Sequence, residues 1–368
     1  MEKRVPYVNF PRQFEESKEE TLAAIQNVIQ RGDFILGKEV GQFEEAFAKL
    51  CDVKHAVSVA NGTDSLIIAL KILGIGPGDE VITASNSWVS SASAIALVGA
   101  TPVFADVSDD QNINPEEIRK KITPRTKCIM PVHLTGRCAR MEEILKIANE
   151  KGIPVLEDAA QAITARTGKY TAGNAGLMAS FSLHPLKNLN AAGDAGILTT
   201  NDAALAEKMR LYRHHGLKNR DEVEFWGFNS RLDTIQAALL LTRVKRLPEY
   251  ISLRRRNAAL YTEGLKDLVF CPVERSDEYH TYHVYVIQCD RRNELQSFLL
   301  DRGIETKIHY PIPIHQQKAA AYLGYGPGSL PNTEKQRDRI LSLPINQYTS
   351  EEQIHWIVES IRSFYKKS

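Results

Sequence analysis

The chain has 368 residues, enough for two domains or for one large domain with an appendage. Its 46 Lys and Arg against 45 Asp and Glu leave a net charge of +1, without the basic excess of a general nucleic-acid binder. Hydrophobic residues at 43% and charged residues at 25% suit a soluble globular protein, and no run approaches the ~20 apolar residues of a membrane span.

The N-terminus, Met1 to Pro6, has no apolar core of a signal peptide. An extended arm containing Phe10-Pro11 leads to a helix with Leu22, Ile25, Val28 and Ile29 at helical spacing. Gly32 to Gly37 breaks that pattern, and Val40, Phe43, Phe47 and Leu50 mark a second helix. The apolar run Ala56 to Ala60 reads as a strand, turning through Asn61-Gly62-Thr63 into a helix with Leu66, Ile67, Leu70 and Leu73. Such a helix start suits a phosphate. On local sequence alone, the plainer reading is an N-cap by Asn61 or Thr63. Strand, helix and strand then alternate: Gly78 to Thr83, Val89 to Val98 after Trp88, Thr101 to Asp106, a helix from Asn114-Pro115, Cys128 to His133, Met141 to Lys151, and Ile153 to Asp158. This alternation predicts an α/β fold with a mostly parallel sheet covered by helices on both faces. Ligands gather at the carboxyl ends of such strands. Asn61-Gly62-Thr63, Trp88, His133, Asp158 and Ser182 all fall there.

Further on, Ala203 to His215 is a helix closed by Gly216, and Lys218 to Phe228 is a polar and aromatic loop. Gly227 to Asp233 opens a long helix, and the run Arg254-Arg255-Arg256 reads as a solvated helix face. Val269 to Cys271, Tyr282 to Ile287 and Gly303 to His309 read as strands. Glu294 to Arg302 and Glu351 to Tyr365 read as helices, and Tyr310 to His315 as an extended loop. Domains of 1–250 (arm and large domain) and 251–368 (a smaller α+β domain) follow. Five cysteines without a Cys-x-x-Cys pair read as reduced thiols of a cytoplasmic protein, with no zinc or other metal site.

The chemistry concentrates at Phe181 to Leu189. Lys187 lies between strand-like Ala179 to Ser182 and the glycines of Gly193-Asp194-Ala195-Gly196, where its amine can reach a carbonyl carbon and form a Schiff base. Asp158 ends a strand, where a carboxylate can hold a protonated pyridine nitrogen. A lysine and an acid in these places point together to pyridoxal 5′-phosphate (PLP), whose ring acts as an electron sink. Lys187 alone reads as a surface lysine.

Asn61-Gly62-Thr63, Glu157-Asp158-Ala159-Ala160-Gln161, Ser182 with Lys187, Gly193 to Gly196 and Gly227-Phe228-Asn229-Ser230-Arg231-Leu232-Asp233 stand in one order and spacing. The set resembles the DegT/DnrJ/EryC1/StrS family of sugar aminotransferases, from about Asp33 to the C-terminus. The resemblance implies the PLP-dependent fold type I of aspartate aminotransferase. It implies that Lys187 binds PLP and shuttles a proton, and that Asp158 pairs with the pyridine nitrogen. Gln161 would lie near the 3′-oxygen, and Gly62, Thr63 and Ser182 would hold the phosphate. Trp88 would stack on the ring, though it also reads as an ordinary buried aromatic. Asn229 would reach the phosphate in the neighbouring subunit of a homodimer, against the alternative of an N-cap. His309, Tyr310 and His315 are candidates for substrate contact.

The implied reaction moves an amino group from L-glutamate to a keto-sugar. Lys187-Asn188-Leu189 with Gly193-Asp194-Ala195-Gly196 resembles members acting at C3 of a nucleotide-linked hexose. A 4-keto nucleotide sugar, a keto-octulosonate and a cyclitol ketone are the alternatives. Lys187 speaks against the family's dehydratases and against a non-catalytic PLP-binding regulator. Ala162-Ile163-Thr164-Ala165 and Thr135 depart from the family pattern near the expected pocket, which bears on the choice of sugar.

Overall fold

Strands and helices alternate along most of residues 4–366, the part of the chain described by the computed structural model. Helix α1 (Phe10–Arg31) starts earlier than its apolar spacing indicates. Asn9 caps it by accepting from Arg12 N at 3.2 Å, and Pro11 sits in the first turn, where a missing N–H costs nothing. Phe10 and Pro11 therefore belong to the helix, not to the arm.

There follow α2 (Lys38–Cys51), β1 (His55–Val59), α3 (Gly62–Ile72), β2 (Glu80–Ala84), α4 (Ser90–Leu97), β3 (Thr101–Ala105), α5 (Pro115–Lys121), β4 (Thr126–Met130), α6 (Met141–Lys151) and β5 (Leu156–Asp158). A short hairpin, β6 (Arg166–Thr167) and β7 (Tyr170–Thr171), precedes β8 (Met178–Ser182), β9 (Gly196–Thr200), α7 (Ala203–Arg213) and α8 (Thr234–Val244).

The strands pair in the orders β1-β9-β8-β5 and β3-β2-β4. Parallel bridges Ile129–Val155 and Val132–Asp158 join β4 to β5 and make one continuous surface. Only β9 runs antiparallel to its neighbours in it. Successive residues enter opposite cores. Ala56, Ala179 and Ile197 meet Phe43, Phe47 and Leu240 on one face, while Val57, Met178 and Leu198 meet Leu66, Leu70 and Met209 on the other. That alternation is the pleat of strands buried on both faces.

Helix α9 (Leu247–Leu265) carries the chain into its second core. Leu247 and Ile251 pack in the first core, and Ala258, Tyr261 and Leu265 in the second, so the expected boundary at 250/251 falls inside this helix. Beyond it lie β10 (Glu278–Tyr279), β11 (Tyr285–Gln288), α10 (Arg292–Asp301), α11 (Pro331–Arg337), β12 (Ile340–Leu343) and α12 (Glu351–Lys366). β11 and β12 pair antiparallel, and β10 pairs with β6. Val269 to Cys271 and Gly303 to His309, expected as strands, form only the isolated bridges Phe270–Gln288, Val5–Ile304 and Lys307–Ser342. Among the described residues no helix is long and apolar enough to cross a membrane.

Candidate active site

The site begins where β1 ends. Asn61 caps α3 by accepting from Asp64 N at 2.8 Å, which leaves first-turn N–H groups free for an anion. Gly62 brings this turn against the end of β8: a Cβ there would lie 2.8 Å from Ser182 Cβ. Gly196 serves the same approach from β9, since a Cβ on it would collide with the Asn61 carbonyl. The Thr63 hydroxyl stands 2.8 Å from that of Ser90. Helix start, Thr63 and Ser182 form a cradle of donors that larger residues at 62 and 196 would fill.

Asp158 closes β5 and is 4% exposed. Its Oδ2 accepts from Ser91 Oγ at 2.7 Å and its Oδ1 from Ala160 N at 3.3 Å. Ser91 lies 2.8 Å from the Ser87 hydroxyl in turn. Burial pushes the Asp158 carboxyl above its ordinary range, while Ser91, Ala160 N–H and the charge of Lys187 oppose that rise. Lys187 sits in a turn after β8, its N–H donating to His184 O at 2.8 Å. Its side chain is half-buried and borders the same cavity as Asp158. Burial lowers its pKa to about 8, against the pull of Asp158. An amine so placed reaches its neutral, nucleophilic form near physiological pH.

These groups share a cavity of about 710 Å³ with Trp88, Gln161, His309 and Tyr310. The rings of Trp88 and Tyr310 are 5.6 Å apart. Trp88 is 57% exposed, so it is not an ordinary buried aromatic. Gln161 accepts from Thr135 N at 2.8 Å and donates to Tyr310 Oη at 3.3 Å, which fixes its amide. Burial, with the charges of Lys187 and Lys307, lowers the His309 pKa to about 4, and its Nδ1 is 2.8 Å from Ser342 Oγ.

Three expected residues stand elsewhere. His133 is fully buried with Nε2 2.8 Å from Glu157 Oε2, and its Nδ1 accepts from Ala139 N at 3.1 Å; it supports the sheet and does not border the cavity. His315 is 2% exposed, between Ser85 Oγ at 2.6 Å and Glu334 at 3.2 Å, and anchors its loop to the body outside the cavity. Asn229 is exposed and away from its own chain's cavity. It does not cap α8, whose N-cap is Asp233. Its loop also carries Trp226, 92% exposed.

The structure adds Ser91, His283 and Arg254, which the sequence reading did not place here. Ser91 lay hidden in a small-residue helix. Arg254 overturns the expectation of a solvated basic face: it is 7% exposed, because α9 turns it toward the cavity while Arg256 faces solvent.

The residues present fit PLP. A buried acid, a lysine shifted toward its neutral form and a donor cradle at a helix start border one space, beside an aromatic wall. This fold and site define a PLP-dependent transferase of fold type I. A model of the DegT/DnrJ/EryC1/StrS aminotransferase family matches residues 15–362, and the chain belongs to that family. It is a sugar aminotransferase with PLP as its cofactor. It is 42% identical to a "Pleiotropic regulatory protein" of Geobacillus stearothermophilus, over 98% of this chain and 99% of the relative. It is 40% identical to a dTDP-3-amino-3,4,6-trideoxy-α-D-glucose transaminase of Streptomyces venezuelae, over 99% of this chain and 97% of the relative. A crystal structure of S. venezuelae DesV in complex with a ketimine intermediate superposes with a TM-score of 0.96 at 40% identity, covering 98% of each chain.

Proposed function

We propose that the protein moves an amino group from L-glutamate to a nucleotide-linked 3-keto-deoxyhexose, as a homodimer with shared sites. When bound, PLP supplies a ring that withdraws electrons from a carbon next to nitrogen. Lys187 would hold the cofactor's carbonyl carbon and would carry a proton to and from the substrate carbon. Asp158 would keep the pyridine nitrogen protonated, and Ser91 holds Asp158 in place. Gln161 would bind the cofactor's ring oxygen and Trp88 would pack against its ring. Gly62, Thr63 and Ser182 would take the phosphate, and Asn229 of the other subunit would join them. His309 and Tyr310 border the substrate space, and His315 supports their loop.

One observation carries this reading: Asp158, at the end of β5, and Lys187, in the turn that follows the adjacent parallel strand β8, border one cavity. The Lys187-Asn188-Leu189 pattern and the name of the S. venezuelae relative support action at C3. The name of the G. stearothermophilus relative favours a regulator as second reading. Two experiments separate these. The protein is first incubated with L-glutamate while 2-oxoglutarate is measured, and is then offered 3-keto and 4-keto nucleotide sugars. Stoichiometric 2-oxoglutarate and an amino sugar from the 3-keto acceptor are expected. Amination of the 4-keto acceptor alone would overturn the C3 assignment, and PLP binding without either reaction would leave the regulator.

A further inference from the structure

Arg254 lies in the cavity wall contributed by α9. Its Nη1 donates to Tyr282 O and His283 O, both at 3.1 Å, and its Nη2 to Gln347 Oε1 at 3.2 Å. A guanidinium has five N–H donors, so these bonds do not saturate it, and Nε has no partner. Among the described residues no carboxylate stands within ion-pair distance of it, and the groups whose charge acts on it are the phenols of Tyr7 and Tyr348. Its neighbours differ: Arg255 pairs with Glu274 at 2.7 Å and Arg256 with Glu351 at 3.5 Å. Burial lowers Arg254 to about 10, so it stays charged at neutral pH. A buried cation without a counter-ion is unfavourable, and it marks a place where an anion is welcome.

The surroundings point the same way. The Nδ1 of His283, which also borders the cavity, has no hydrogen-bond partner. His283 is tied to Arg254 through its carbonyl, and Lys187 is the foremost charge acting on its ring. It borders the same cavity as Arg254 and Lys187. Of the cavity's three acids, Asp64 accepts from Ser230 at 2.6 Å and Asp158 from Ser91 at 2.7 Å, and neither these nor Asp194 pairs with Arg254. The substrate space is acidic under Asp158 and cationic at Arg254.

Resting on the amino-acid donor proposed above, we propose that Arg254, with His283 beside it, receives a carboxylate of that donor, so that the missing counter-ion arrives with the substrate. A keto-deoxyhexose has no carboxylate, so Arg254 distinguishes the two half-reactions. A nucleotide diphosphate is the other anion to be told apart.

The test uses PLP-loaded wild type, R254K and R254Q. Single-turnover rates are measured against L-glutamate concentration, and the pyridoxamine-loaded forms are assayed with keto-sugar nucleotide. Binding of glutarate, a dicarboxylate without an amine, is followed by calorimetry. Loss of a charged hydrogen-bonded contact raises the KM for glutamate about ten- to a hundredfold in R254Q, with partial rescue in R254K. The KM for the sugar nucleotide changes much less, and glutarate binds wild type but not R254Q. An unchanged glutamate KM with a normal wild-type reaction overturns the inference alone. A rise confined to the sugar nucleotide assigns Arg254 to phosphate, and equal losses in both half-reactions make it structural; either overturns the inference. Failure of wild type to react with glutamate overturns the donor reading first. If R254Q does not fold, wild type decides: glutarate displaced by glutamate but not by dTDP supports the site, and displacement by dTDP overturns it.

Discussion

Replacing Lys187 with methionine removes the reactive amine and also removes a charge from a half-buried position, so the cofactor-free protein should gain stability as it loses function. Lys187 releases its proton near pH 8 in the folded chain and near its ordinary 10.5 when unfolded. Between these values the unfolded chain binds more protons, so stability rises with pH across that window. The penalty of burying the ammonium is fully present below about pH 8 and is lost as pH approaches 10.5. At ~1.4 kcal/mol per pH unit of difference it amounts to ~3 kcal/mol at pH 7, ~2 kcal/mol at pH 9 and under ~0.5 kcal/mol at pH 10.5. Methionine is apolar and of similar reach, so it leaves little void. Urea midpoints of cofactor-free wild type and Lys187→Met, compared at one protein concentration and at those three pH values, measure the difference. The mutant should be more stable at pH 7 by a margin that closes with rising pH. A mutant no more stable at pH 7, or a margin that ignores pH, would refute the claim that burial works against the Lys187 ammonium.

Asp158→Asn keeps the shape and the Ser91 contact but loses the charge, so PLP retention should hold while turnover falls about a hundredfold or more. Near-normal turnover would remove Asp158 from the electron-sink role. Asn229, exposed on its own subunit, should serve the partner. Inactive Lys187→Ala mixed and exchanged with Asn229→Ala at limiting PLP should recover activity, because each mixed dimer holds one site free of both lesions. Exchanged mixtures no more active than the separate mutants would place Asn229 in its own subunit's chemistry or outside the site altogether.

Much of this protein is legible in local sequence. The alternation of strand and helix, the N-cap at Asn61 and the limits of α6 at Met141 and Lys151 follow from spacing within a few residues. The placement of Gly62, Thr63, Trp88, Asp158 and Ser182 at strand ends likewise anticipated that they would border one cavity. The same rule misplaced His133, because its ring turns into the interior toward Glu157, and nothing within the strand shows which way it turns. It also passed over β9, whose glycine start reads as a loop until the Asn61 carbonyl is seen to lie against it. Arg254 is the clearest case of what only tertiary structure decided. Three consecutive arginines are alike in sequence. Their fates diverge because acceptors 28, 29 and 93 residues away enclose the first, while carboxylates reach the other two. Local pattern sets which faces are apolar and where the chain turns, since those depend on neighbours. Whether a charge is buried, and whether anything in the chain answers it, depends on distant segments that meet only on folding.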